Sequence, residues 1–159
     1  MKKINANDIA KWFLLRVDRD SGGCITHLKL QKLLYYAQAW YLANYKKPLF
    51  QEDFQAWSHG PVCAAIWTKY KKYTWEAIPS PKTGPRLEKK IKNYLESVWK
   101  AYGEISAKNL EKLTHSEDPW KNVRGNLPFE AKCTTIISKE SMKNYYRKSL
   151  NDQRSTTTV

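Results

Sequence analysis

The residues of this 159-residue chain best suited to binding a metal, or to acting as nucleophile and base, are three histidines and three cysteines: His27, His59, His115, Cys24, Cys63 and Cys133. Cys24-x-x-His27 and His59-x-x-x-Cys63 have the intervals of zinc ligands, and one Cys2His2 set could be drawn from them. No second Cys-x-x-Cys supports that set. Cys63 also falls on the side of its helix expected to be buried, where a free cysteine acts as a small hydrophobe. His115 beside Ser116, Glu117 and Asp118 has catalytic residue types, but a helix N-terminus written Thr-His-Ser-Glu-Asp-Pro explains them by capping and dipole complementarity. Neither GxSxG nor HExxH accompanies the histidines, and the six glycines form no phosphate loop. The expectation is a non-enzyme that needs no metal and no cofactor.

Charge points instead to a macromolecular partner. Lys and Arg number 28 against 15 Asp and Glu, a formal net charge of +13. Such an excess favours an acidic protein, a nucleic acid or an anionic membrane surface, or else serves solubility alone. Lys69-Tyr70-Lys71-Lys72-Tyr73-Thr74-Trp75 and Tyr145-Tyr146-Arg147-Lys148 interleave cations with rings, as nucleic-acid surfaces can. Some of those rings must face a core, and a lysine-rich helix face is commonly just solvated.

The elements that must position these groups are helical. Hydrophobic residues make up 42% and charged residues 27%, with seven Trp, ten Tyr and four Phe, so a well-filled core is expected. No apolar run reaches the ~18 residues of a membrane span. Met1-Lys2-Lys3-Ile4-Asn5 lacks the apolar stretch of a signal peptide, and the odd, scattered cysteines suit a reducing compartment, so a cytoplasmic location is expected.

Asn5 and Asp8 form a capping pair for a first helix over 5–19, with Ile9, Trp12, Phe13 and Val17 inward. Thr26 caps a second helix to about Asn44, apolar nearly all round, and such helices lie at the centre of bundles. Asp53–Trp57 reads as a short strand. Gly60-Pro61 makes a turn, with Pro61 opening a third helix to Tyr73. Three prolines make 75–85 a loop. Residues 86–102 form an amphipathic helix with Lys89, Lys90, Lys92 and Lys100 outward, stopped by Gly103 in the C′ manner. Short helices follow from Ser106 and from Glu117, a short strand at Ile136-Ile137, and a last helix over 139–150. The expected fold is an all-α, mostly helical bundle of about six or seven helices with at most a small β element. It is one domain over 1–150 with a flexible polar tail over 151–159.

Three segments together resemble a known family. They are Leu28 to Leu42 (LKLQKLLYYAQAWYL), Pro48-Leu49-Phe50 with Phe54 to Val62 (FQAWSHGPV), and Tyr102-Gly103 through Ser106–Leu110 to Thr114–Trp120 (THSEDPW). In order and spacing they are similar to the SocA-like or Panacea antitoxin domain of bacterial and phage toxin–antitoxin systems, over about residues 5–150. The resemblance implies a non-enzymatic helical domain that binds and neutralises a toxin encoded beside it. The toxins of that family include enzymes that modify nucleotides or tRNA. One member hands its toxin to an ATP-dependent protease, and phage-borne homologues make an inhibitor of a host protein a variant. The very basic surface and the proline-rich 75–85 loop depart from the usual pattern.

Carried over residue by residue, Leu30, Leu33, Leu34 and Ala37 are expected in the core. Gly60, Pro61 and Val62 are expected to reverse the chain, and Trp120 to plug the bundle. Lys32, Tyr36, Gln38, Trp57, Ser58 and His59 are read as the more exposed members and so as a partner-facing patch. The competing reading is that they merely brace the second helix against the strand and turn. A basic nucleic-acid-binding regulator, working through Lys69–Trp75 and the Lys89–Lys100 face, is the alternative function.

Overall fold

The helix without a polar side lies at the centre of the molecule. In the computed structural model, which describes residues 3–157 (side chains of 154–157 excepted), α2 (His27–Tyr45) is buried at fourteen of its positions. Around it pack α1 (Ala6–Arg16), α4 (Lys89–Tyr102), α5 (Ala107–Ser116) and α7 (Lys139–Thr157), with α3 (Ala64–Tyr70) against α1 and α2 and α6 (Asp118–Arg124) against α5 and α7. The fold is mostly helical, as expected, with one small sheet.

Local chemistry sets the helix starts. Asn5 Oδ1 accepts from the Asp8 N–H (2.8 Å) and Asp8 Oδ2 accepts from the Asn5 N–H (3.0 Å), a reciprocal cap at the head of α1. Thr26 caps α2 through the Lys29 N–H, and Ser106 caps α5 through the Asn109 N–H (3.1 Å). The amphipathic α4 turns Ile91, Leu95 and Val98 inward and leaves Lys89, Lys90, Lys92 and Lys100 in solvent.

Several boundaries differ from expectation, three of them in kind. Gly60-Pro61-Val62 does not open a helix. It forms β2 (Gly60–Val62), paired antiparallel with β1 (Phe54–Trp57) in the register Trp57↔Gly60, Ala56↔Pro61, Gln55↔Val62. β3 (Ile136–Ile137) pairs with the other side of β1, so Pro61 sits on an edge strand where its missing N–H costs no ladder bond. Gly103 keeps right-handed helical dihedrals instead of the left-handed cap; a Cβ there would lie 2.7 Å from the Trp99 ring, so packing requires the glycine. The last helix continues to Thr157, so the stretch expected as a loose tail is helical as far as it is described; Thr158 and Val159 lie outside the described residues.

Candidate functional site

The six residues expected on a partner-facing patch divide into two groups of three. Lys32, Tyr36 and Gln38 are completely buried, contrary to expectation. The reason is geometric: α2 is enclosed on every side, so its polar side chains have no solvent to reach and must find partners inside. Gln38 supplies three hydrogen bonds to the segment after α2, donating to Phe50 O (2.7 Å) and accepting from the N–H groups of Leu49 (2.8 Å) and Phe50 (3.4 Å). Lys32 Nζ donates to Pro61 O (3.1 Å) beneath the hairpin. The bracing reading therefore describes Lys32, while Gln38 ties α2 to residues 49–50.

Gln31, which sequence reasoning left out, does the same work one step away. It accepts from the Cys63 N–H (2.8 Å), donates to Cys63 O (3.2 Å) and touches His27 Nε2 (3.0 Å). Polar residues on a helix with no polar face were the available signal: Gln31, Lys32 and Gln38 had to be clamps, because a buried amide without a partner costs on the order of 2–7 kcal/mol and an unpaired ammonium more.

Burial makes Lys32 easier to deprotonate, lowering it to about 7 against a smaller opposing pull from the Glu111 carboxylate. Its side chain also occupies the space beside Gly60, whose φ is +102°; a Cβ at Gly60 would lie 2.6 Å from Lys32 Cε and 2.9 Å from Thr114 Oγ1. The hairpin is thus seated on Lys32 and needs glycine twice, for dihedral and for space.

Tyr36 belongs to a buried aromatic cluster. Its hydroxyl donates to Glu117 Oε1 (2.6 Å), the Tyr146 hydroxyl donates to the same oxygen (3.0 Å), and its ring stacks on Tyr102 at 4.2 Å. Trp40 Nε1 donates to the Tyr102 hydroxyl (2.6 Å), completing a link from α2 to α4 and α7. Burial raises the Glu117 carboxyl, opposed by the two tyrosine hydrogen bonds, and raises the Tyr36, Tyr35 and Tyr146 hydroxyls; Tyr102 is pushed up to about 12. Glu117 joins α5 to α6, so this carboxylate is a structural tie as well as a helix-end residue.

Trp57, Ser58 and His59 do reach the surface, at the turn of the β1–β2 hairpin. Trp57 is half-buried. Its Nε1 donates to Gln55 Oε1 (2.7 Å), its carbonyl accepts from Trp120 Nε1 (2.8 Å), and its ring meets the edge of Trp67 at 5.2 Å. Trp67 stacks in turn on the buried His27 ring at 5.0 Å. The His59 side chain is 73% exposed and bonds Glu111 Oε1 through Nδ1 (3.1 Å). Behind the turn Trp120 is buried and stacks on His115 at 3.9 Å, and Phe129 approaches the same His115 ring at 4.7 Å. Leu30, Leu33, Leu34, Gly60, Pro61 and Val62 are all buried.

Arg124 was not legible as a functional or structural residue. It is nearly buried, donates from Nη1 to Ala56 O (2.9 Å), and from Nη2 to the carbonyls of Pro128 (2.9 Å), Phe129 (3.1 Å) and Ala131 (2.8 Å). One guanidinium thereby ties the 126–133 loop to β1, and no spacing rule reveals a residue whose partners are all backbone carbonyls.

Cys24 is exposed and Cys63 buried, and no group of three or more His, Cys, Asp and Glu among the described residues is placed to hold a metal. Burial lowers His27 to about 4, helped by Lys32, so this ring is neutral and serves as a stacking base. Among the described residues no helix is long and apolar enough to cross a membrane.

Comparison with known proteins adds the family. The sequence family described as Antitoxin SocA-like, Panacea domain, matches residues 30–121, which hold α2 from Leu30 on, the hairpin, α5 and the Trp120 turn. Antitoxin SocA of Caulobacter vibrioides (strain NA1000 / CB15N) is 32% identical over 110 residues, covering 60% of this chain and 58% of the relative. The chain thus matches little more than half the length of that curated relative. No solved structure matches. The matched segment contains the α2 clamps, the hairpin they hold and the tryptophan behind it, and by that match the chain belongs to the SocA-like Panacea antitoxin domain family.

Proposed function

We propose that this chain is an antitoxin that neutralises a toxin protein by direct, non-enzymatic contact in the cytoplasm. The hairpin corner at Trp57, Ser58 and His59 forms part of the contact surface. The observation that carries the reading is a corner bearing half-exposed rings on a turn held from beneath by buried polar clamps. Lys32 holds that corner from beneath, Gln38 braces the segment leading into it and Tyr36 the aromatic cluster, and none of the three touches the partner. Rigid rings make good anchors because little freedom is lost when they are covered.

The surplus of positive charge suits an acidic toxin surface, such as that of an enzyme acting on nucleotides or tRNA, and accelerates encounter. The same contact would also allow delivery of the toxin to an ATP-dependent protease. The exposed Lys89, Lys90 and Lys92 on α4 favour nucleic-acid binding as the competing role.

Co-expression with the adjacent open reading frame tests the proposal. The expected outcome is growth arrest by the neighbour alone, relief by this chain, and loss of relief on Trp57→Ala with the chain still folded. Relief that needs Lys89, Lys90 and Lys92 but not Trp57 would support the nucleic-acid reading instead.

A further inference from the structure

The most exposed large apolar side chain in the described part of the molecule is Trp75, at 88%. It is not on a slack segment. It follows α3 and a single 3-10 turn (Lys71–Tyr73), and three backbone hydrogen bonds fix its surroundings: Thr74 N–H to Lys71 O (3.1 Å), Glu76 N–H to Tyr73 O (2.9 Å) and Ile78 N–H to Ile25 O (2.9 Å). Ile78 on one side is buried, and Tyr73 on the other packs against the core.

Thr74 between them has φ +52° and ψ −118°, a region a β-branched residue avoids, so the chain holds a strained dihedral where it turns the indole outward. Lys69, Lys71 and Lys72, just before Trp75 in the chain, are exposed, and Glu76 is the only acid between residues 69 and 78. The segment also joins the hairpin corner, since Trp67 of α3 meets Trp57.

Resting on the antitoxin reading, we infer that Trp75 is a preformed anchor that enters an apolar, acid-rimmed pocket on the toxin, with Lys69, Lys71 and Lys72 meeting the rim. A large ring held in water by a strained and hydrogen-bonded turn loses almost no freedom on binding, and Trp is the residue most often found as a binding hot spot. The alternative class, a single-stranded nucleic acid, needs successive rings for successive bases. Here the neighbouring Tyr73 is half-buried, with Lys72 Nζ 5.2 Å over its ring, so one indole stands alone.

The test uses the full chain, Trp75→Ala and the triple variant Lys69→Glu/Lys71→Glu/Lys72→Glu, with the protein product of the adjacent reading frame as the binding probe. All three should melt at the same temperature, because the altered side chains are in solvent. Trp75→Ala is expected to weaken the complex by about 30-fold or more, mainly through faster dissociation. The triple variant is expected to slow association about 10-fold and to flatten its salt dependence. Binding by Trp75→Ala at wild-type affinity overturns the anchor while leaving the antitoxin reading intact. If the unaltered chain neither binds nor relieves the probe, the antitoxin reading fails and the anchor fails with it. If Trp75→Ala instead loses binding to a single-stranded oligothymidine while holding the toxin, the ring serves nucleic acid and the inference is overturned.

Discussion

A lysine with no access to water is an unusual object, and Lys32 makes the protein's stability depend on pH in a predictable sense. Burial lowers its folded value from 10.5 to about 7, the Glu111 carboxylate opposing. Above neutrality the folded chain therefore holds fewer protons at this site than the unfolded chain. The stabilising contribution is complete above 10.5, is lost as pH falls toward 7, and makes stability rise with pH in between. Burial also lowers His115, whose ring lies beside the same Glu111 carboxylate. Between about pH 7 and 8.5 the urea midpoint should thus climb more steeply in the wild type than in Lys32→Met; equal slopes would contradict a neutral buried amine. Gln38→Ala tests the neighbouring clamp. It strips partners from Phe50 O and the Leu49 N–H, so a loss on the order of 2–4 kcal/mol is expected by chemical denaturation. Tyr36→Phe keeps the stacked ring and removes only the hydrogen bond to Glu117, and should cost about 1–2 kcal/mol.

At the scale of elements, the hairpin is where residues become a surface. Gly60→Ala adds a methyl 2.6 Å from Lys32 Cε at a positive φ, and should destabilise by about 2 kcal/mol or more in a urea titration. A neutral result would mean that the turn is not seated as described. The element level also explains what could be read from the sequence. α2 declared its central place through apolar residues on all sides, and α1 and α5 declared their starts through Asn5 and Ser106. The same pattern hid the role of Lys32, Tyr36 and Gln38: polarity suggested exposure, but a helix enclosed by four others has no exposed stripe for them. Gly60-Pro61 was misread for a related reason. Proline suits both the first turn of a helix and an edge strand, and only the pairing of Ala56 with Pro61 decides between them. Arg124 was invisible because backbone carbonyls carry no sequence signature.

For the whole molecule the account is one of adhesion. A net charge of +13 around rings at Trp57, Trp67 and Trp75 should make the complex form quickly at low salt and more slowly at high salt, with dissociation little changed. Stopped-flow association across ionic strengths checks this; rates independent of salt would remove the steering role of the lysines. The measurement that reaches the central claim is a titration of the purified chain into the purified product of the adjacent reading frame, following the toxin's own activity with no protease present. The account predicts a straight decline to no activity at one equivalent of chain. Undiminished toxin activity in the presence of excess folded chain would contradict it.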